Sequence, residues 1–236
     1  MAIQTVGADS HLRSSQTMSL SATSAFSITC WISANWNSGG RRSFVGIYGP
    51  ATDVALGAPV TAVQIGSSLG TNDLTCWTWG GGTLVGTATG AMAAYNNVWT
   101  HIVYTFDGTT HRLYRDGVLL ASQAAVQLAG FLNQIYINGY PGGTTGEVDA
   151  FQADQYAIYR RTLSADEVLT MASCYGTRHG INNAIARFEF DGGVGTVSNE
   201  LDLTGNGHHL TFTGAGTAPS YSYINTIASS NIRRVQ

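Results

Sequence analysis

Apolar and polar residues alternate along much of this chain, most sharply in two stretches. In the first, Phe26, Ile28, Cys30 and Ile32 fall on one side and Ser27, Thr29, Trp31 and Ser33 on the other. In the second, Ile102, Tyr104 and Phe106 oppose His101, Val103 and Thr105. A period of two puts successive side chains on opposite faces of an extended backbone, so both read as β-strands. Two Asp-Gly pairs follow, Asp107-Gly108 and Asp116-Gly117. Asp-Gly suits a type I′ turn, whose two central residues need positive φ. Leu113 and Tyr114 lie between the turns, and Val118, Leu119 and Leu120 follow the second. Residues 98–123 therefore predict a three-stranded antiparallel meander.

Shorter strand patterns run over 43–48, 62–65, 74–79, 84–89, 131–140 and 184–190. Gly39-Gly40, Pro50 with Pro59, and Pro141-Gly142-Gly143 mark loops between them. One stretch reads as helical. Ser164 and Glu167 have the spacing of a capping box, with Leu163 and Val168 at the staple positions, which predicts a short helix near 164–173.

Three phrases resemble laminin-G-like domains of the concanavalin A-like lectin and glucanase superfamily. They are Phe26-Ser-Ile-Thr-x-Trp31, the meander from Trp99 to Gly117, and the run Asp154 to Ser164. The resemblance implies an all-β jelly-roll sandwich of two antiparallel sheets over residues 1–175. A fourth phrase, Phe190-Asp191-Gly-Gly and then Asp202-Leu-Thr-Gly-Asn-Gly207, resembles the opening of such domains but stands after the body of this one. Residues 176–236 either close the same sandwich or begin a second repeat. About 60 residues is too short for a second sandwich, so closure, followed by a polar tail, is the expectation.

Composition narrows the setting. Only 11% of residues are charged, all 11 basic residues are Arg, and the formal net charge is −3. That balance offers no electrostatic footprint for nucleic acid or an anionic membrane. The three cysteines, Cys30, Cys76 and Cys174, are widely spaced and odd in number, so a disulfide framework is not expected. The N-terminal stretch lacks a basic segment followed by an apolar one, so no secretory signal is expected. No apolar run approaches the ~20 residues of a spanning helix.

Glu147-Val-Asp149-Ala-Phe-Gln152 resembles the E-x-D-x-x-E strand of laminarinase-like glycoside hydrolases. That resemblance implies Glu147 as nucleophile and Asp149 as helper. Gln152 stands where the acid/base glutamate is needed, and an amide has no proton to deliver. Catalysis is therefore not expected. Some laminin-G-like domains bind Ca²⁺, and Asp154 is the best candidate ligand here, though turn formation explains most of the aspartates. His208 and His209 are adjacent and would point to opposite faces of a strand, so they cannot share one zinc. Trp31 is expected to pack. Trp36, Tyr48, Trp77, Trp79 and Tyr140 fall near loops or strand ends and are candidates to stack on a sugar or anchor a protein.

The sequence thus reads as a non-enzymatic, lectin-like binding module. Its expected partners are a glycan or protein surface, including a second copy of the chain. An adhesive fold without a secretory signal suggests a phage or virus surface component contacting capsid or tail proteins. A free carbohydrate-binding lectin is the alternative, and a glucanase the third reading. The expected location is a virion surface or outside cells.

Overall fold

The structure, a computed structural model, describes residues 2–5, 11–21, 23–36, 42–49, 62–67, 72–79, 83–86, 90–124, 131–139, 150–174, 183–191, 195–196, 199–213 and 218–222. The first strands are β1 (Ala2–Gln4), β2 (Leu12–Ser14), β3 (Leu20–Ser21), β4 (Phe26–Ala34), β5 (Arg42–Tyr48), β6 (Ala62–Ser67), β7 (Thr75–Trp79) and β8 (Thr83–Gly86). The meander follows as β9 (Thr100–Phe106), β10 (Thr110–Arg115) and β11 (Val118–Ala124). Next come β12 (Phe131–Leu132), β13 (Gln134–Ile137), β14 (Phe151–Tyr159) and the helix α1 (Ala165–Ser173). The last are β15 (Ala184–Phe188), β16 (Gly195–Thr196), β17 (Asn199–Glu200), β18 (Leu210–Phe212) and β19 (Ser220–Ser222).

Apart from β3 and β12, which pair with each other, these strands form two large antiparallel sheets. One runs β11-β10-β9-β4-β14-β1-β19-β16, with β15 also paired to β14. The other runs β17-β18-β2-β13-β5-β6-β7-β8. The inward positions of both sheets fill one core. Phe26, Ile28, Cys30, Ile32, Ile102, Tyr104 and Phe106 come from the first sheet, and Val45, Ile47, Val63, Ile65, Ile135 and Ile137 from the second. This is the jelly-roll sandwich the resemblance implies, built from strands the alternation predicts.

The C-terminal strands enter both sheets. β15 pairs with β14, β18 with β2, and β19 with β1. Ala186, Phe188, Phe190 and Leu210 lie in the same core as the meander.

The two Asp-Gly turns differ from each other. Asp116 and Gly117 both have positive φ, 49° and 84°, as a type I′ turn requires. At the first turn only Gly108 does. There the Asp107 carboxylate closes a longer loop, with Oδ1 accepting from the N–H groups of Thr109 and Thr110 at 2.9 and 2.8 Å. The single type I′ expectation is thus corrected for Asp107-Gly108: a side chain replaces backbone geometry as the turn-former.

Helix α1 starts at the expected capping box. Ser164 Oγ accepts from Glu167 N at 3.2 Å, and Glu167 Oε2 accepts from Ser164 N at 2.9 Å. Leu163, Val168 and Met171 pack on Val103, Tyr114, Ala157 and Tyr159. The helix therefore buries part of the outer face of the nine-stranded sheet, and every residue of β9 is buried on both sides.

Candidate functional site

The outer face of the eight-stranded sheet is built by the same alternation that fills the core. Because Val45, Ile47, Val63 and Ile65 point inward, Gly46, Tyr48 and Gln64 point outward. Directly paired positions form a row across seven strands: Thr211, Arg13, Tyr136, Gly46, Gln64, Trp77 and Leu84. No Asp or Glu stands in this row.

Gly46 makes room for an aromatic ring. A Cβ there would lie 2.8 Å from Tyr48 Cε2 and 2.9 Å from its hydroxyl. The Tyr48 hydroxyl donates to the Gly139 carbonyl at 3.0 Å and lies 3.1 Å from Ser43 Oγ. Gln64 Nε2 donates to the same Ser43 oxygen at 3.1 Å. Tyr136 meets Tyr48 edge-on, with ring centres 5.0 Å apart, and stacks on His11 at 5.8 Å. Burial pushes the Tyr136 hydroxyl pKa up, and Arg13 offsets part of that shift. The result is a braced layer of aromatic and amide groups beside β7, in which Tyr48, Tyr136 and Gln64 are all buried.

Trp77 and Trp79 stand on β7, opposite Gln64 and Ala62. Their side chains, and Tyr140 as a whole, lie outside the described residues. Trp36 belongs to the core. It is fully buried and meets Phe44 edge-on at 5.1 Å, so its ring faces are taken by protein. Tyr48 faces outward but is only 2% exposed and serves as a brace. Both are therefore packing residues in this structure and offer no open stacking face. Their positions near strand ends led the sequence reading toward ligands, but a short connection can fold an aromatic back into the core.

Asp154 is also nearly buried. It stands opposite Trp31 at the start of a bulge in β14, and its Oδ1 accepts from Gln155 N at 2.8 Å. Among the described residues no three His, Cys, Asp or Glu side chains converge as a metal site would need. Glu147 and Asp149 lie outside the described residues. Gln152 sits on β14 opposite Ser33. The two histidines at 208 and 209 serve a loop. His209 Nδ1 accepts from Asp202 N at 3.0 Å, and His208 N donates to Asp202 Oδ2 at 3.1 Å.

Arg13, Tyr136 and Gln64 were not singled out from the sequence. The alternation Gln134-Ile135-Tyr136-Ile137 carried the signal for Tyr136. Only the strand order, which depends on long-range pairing, brings the three together.

Two antiparallel sheets in this order, with a capped helix on one outer face, define a jelly-roll sandwich of the lectin and glucanase type. The chain belongs to the laminin-G-like family of that class, since a family model described as concanavalin A-like lectin/glucanases superfamily matches residues 6–169. A search of curated protein sequences found no match.

Three solved structures illustrate the shared fold. One is a Bacteroides ovatus protein described as a candidate carbohydrate binding protein, with TM-score 0.60 and 13% identity over 92% of this chain and 59% of that one. The heptameric SAP-like pentraxin of Limulus polyphemus has TM-score 0.55 and 16% identity over 75% of this chain and 84% of that one. The binding domain of botulinum neurotoxin serotype D has TM-score 0.52 and 11% identity over 72% of this chain and 41% of that one. This chain thus spans little more than half of the first structure and less than half of the third. Identities this low establish the fold alone. Among the described residues no helix is long and apolar enough to cross a membrane.

Proposed function

We propose that the chain is a non-catalytic, lectin-like module that binds carbohydrate on the outer face of its eight-stranded sheet, around β7. One observation carries this reading. The paired positions Arg13, Tyr136, Gly46, Gln64 and Trp77 include no carboxylate residue, and because Tyr136 and Gln64 are each only 2% exposed and act as bracing, the sugar contacts fall to the Trp77 and Trp79 positions of β7. Apolar ring faces with a few placed polar groups suit a sugar. Retaining hydrolysis needs two carboxyl groups about 5–5.5 Å apart, and Gln152 supplies none.

A virion surface setting with capsid or tail partners is the narrower reading of the sequence. It rests on composition and family type, and it ranks behind a free lectin.

Glycan-array binding tests the proposal. The folded protein binds at least one neutral glycan, and Trp77→Ala or Trp79→Ala weakens that binding about tenfold or more, which is about 1.4 kcal/mol. A blank array from folded protein ends the proposal. Reducing-sugar release from β-glucan that is lost in Glu147→Gln would replace it with a hydrolase.

A further inference from the structure

A carboxylate lies buried where the two sheets meet at their C-terminal strands. Glu200 is only 7% exposed. It stands on β17, at the edge of the eight-stranded sheet, opposite Leu210. Its Oε2 accepts from the Tyr221 hydroxyl at 2.7 Å. Tyr221 belongs to β19 of the other sheet, between Ile3 on β1 and Gly195 on β16. This hydrogen bond therefore ties the two sheets together beside the β1–β19 pair.

The tie lacks the usual partner of a buried carboxylate. Asp107, Glu167 and Glu189 each face an arginine. Among the described residues no Arg or His forms an ion pair with Glu200. A buried charge without a countercharge is costly, and such groups tend to take up a proton instead. The groups around Glu200 add no cation. β19 offers the Tyr221 hydroxyl, and β18 offers Leu210. The turn after β15 offers the Phe190 N–H and the negative charge of Asp191. Asp202, two residues along, is occupied by its own loop. Burial pushes the Glu200 pKa up, the hydrogen bonds from Tyr221 and Phe190 oppose that rise, and Asp191 adds to it. Burial and the bond to Glu200 push the Tyr221 hydroxyl pKa up as well, so that hydroxyl stays protonated through neutral pH.

We propose that Glu200 and Tyr221 form a pH-sensitive latch that grips β19 more tightly in mild acid than at neutral pH. When the β1–β19 seam opens, Glu200 reaches water and its pKa returns to the ordinary 4.5. Above the raised value, the closed latch holds a charge that water would solvate better, which favours opening. As pH falls through the raised value toward 4.5, the closed form takes up a proton from solvent first, and closure gains. Below 4.5 both forms are protonated and the gain is complete. The latch survives protonation. The Glu200 O–H then donates to the Tyr221 oxygen, and the Tyr221 O–H turns to the Asn199 carbonyl, 3.5 Å away.

The sign separates this latch from other titrating groups. His111 is buried and Glu167 is paired with Arg161. Groups of those kinds weaken a fold as pH falls, whereas the latch strengthens its seam.

Hydrogen exchange of the full chain tests the proposal, with rates corrected for the intrinsic pH dependence of amide exchange. From about pH 8 to about pH 5, protection of the β19 amides rises about threefold or more, while protection in β4 and β9 does not rise. Glu200→Gln, which is neutral throughout, protects β19 near pH 8 at least as well as the native chain does in acid, with no pH dependence. Tyr221→Phe leaves the carboxylate without its donor. It lowers β19 protection near pH 8 about threefold or more and steepens the rise toward acid.

Native protection of β19 that stays flat or falls with acid would overturn the latch. So would a Glu200→Gln variant that keeps the native slope or exchanges faster near pH 8. Unchanged exchange in Tyr221→Phe would place the pH response outside this pair, with the same consequence. A rise shared equally by β4 and β9 would be a global effect and would also overturn it. The readout needs no ligand, so it is independent of whether glycans bind at β7.

Discussion

The Tyr104 hydroxyl and His111 Nδ1 lie 2.5 Å apart inside the sandwich. His111 also stacks on Phe106, with ring centres 4.7 Å apart, and is fully buried. Burial lowers its pKa from 6.5 to about 4, against an opposing pull from Asp107. The unfolded chain therefore takes up a proton near pH 6.5 that the folded chain refuses until about pH 4. Above 6.5 the group contributes nothing to pH dependence. Between 6.5 and 4 stability falls with pH, by at most about 1.4 kcal/mol per unit. Urea unfolding from pH 7.5 to 4.5 reads this slope. His111→Phe should flatten it while lowering stability at pH 7.5 by about 1–3 kcal/mol, because the Tyr104 hydroxyl loses its partner. An unchanged slope in that variant would assign the acid sensitivity elsewhere.

The start of α1 gives a second expectation. Glu167 receives two hydrogen bonds from Arg161, at 2.6 and 2.8 Å, and one from Ser164 N. The Arg161 hydrogen bonds hold its carboxyl at about pKa 2, against the opposing effect of burial. That contribution is present above the ordinary value of 4.5 and lost as pH falls toward 2. Both side chains are about a third exposed, so solvent screening keeps the ion pair near or below about 1 kcal/mol. Ser164→Ala should cost about 1 kcal/mol at neutral pH. Glu167→Gln should cost less there and show a shallower acid decline. Thermal melts across pH 2.5–7 separate the two effects.

Gly46→Ala should destabilise the eight-stranded sheet by about 1–3 kcal/mol. The new methyl would meet the Tyr48 ring at 2.8 Å and the Val63 carbonyl at 3.0 Å. Combining it with Tyr48→Leu should recover part of the loss. A double variant no more stable than Gly46→Ala alone would show that the Val63 backbone sets the penalty.

Asp202 organises the final loop. Its Oδ1 accepts from Arg187 N, Thr204 N and the Thr204 hydroxyl at 3.1, 3.0 and 2.7 Å. Burial pushes its pKa up, but the hydrogen bonds from Thr204, Arg187 and His208 outweigh that and leave it below the ordinary range. Asp202→Ala should cost about 1–3 kcal/mol by leaving donors unpaired. Amide hydrogen exchange should quicken at Arg187 and His208. Faster exchange spread evenly over both sheets would instead mean a global effect.

Local patterning made the frame legible. The period of two located β4 and β9, and the capping box placed α1 within a residue of its start. The phrase around Asp202 was readable as a turn for the same reason, since its bonds to Thr204, His208 and His209 are local, whereas its bond to Arg187 N was not readable. Features set by distant neighbours were not readable. Asn133 splits the expected strand over 131–140 into β12, which pairs with β3, and β13, which joins β5. The bulge that turns Gln155 outward interrupts a run that looks regular in sequence. Trp31 lies on the polar side of its strand yet is buried, with its ring 5.1 Å from His101. Alternation names two faces but does not say that other elements cover both.

The pairing of β1 with β19 has a mechanical consequence. Ala2 stands opposite Ser222 and Gln4 opposite Ser220, so residues 2 and 222 leave the sheet at the same end of an antiparallel pair. Tension applied across those two residues loads the hydrogen bonds one at a time, as in opening a zipper, rather than shearing them together. The pair is only three residues long, whereas β4 and β14 meet along most of their lengths deeper in the sheet. Under tension the molecule should therefore give way first at this seam, paying out β19 while the meander and the helix-covered face still hold.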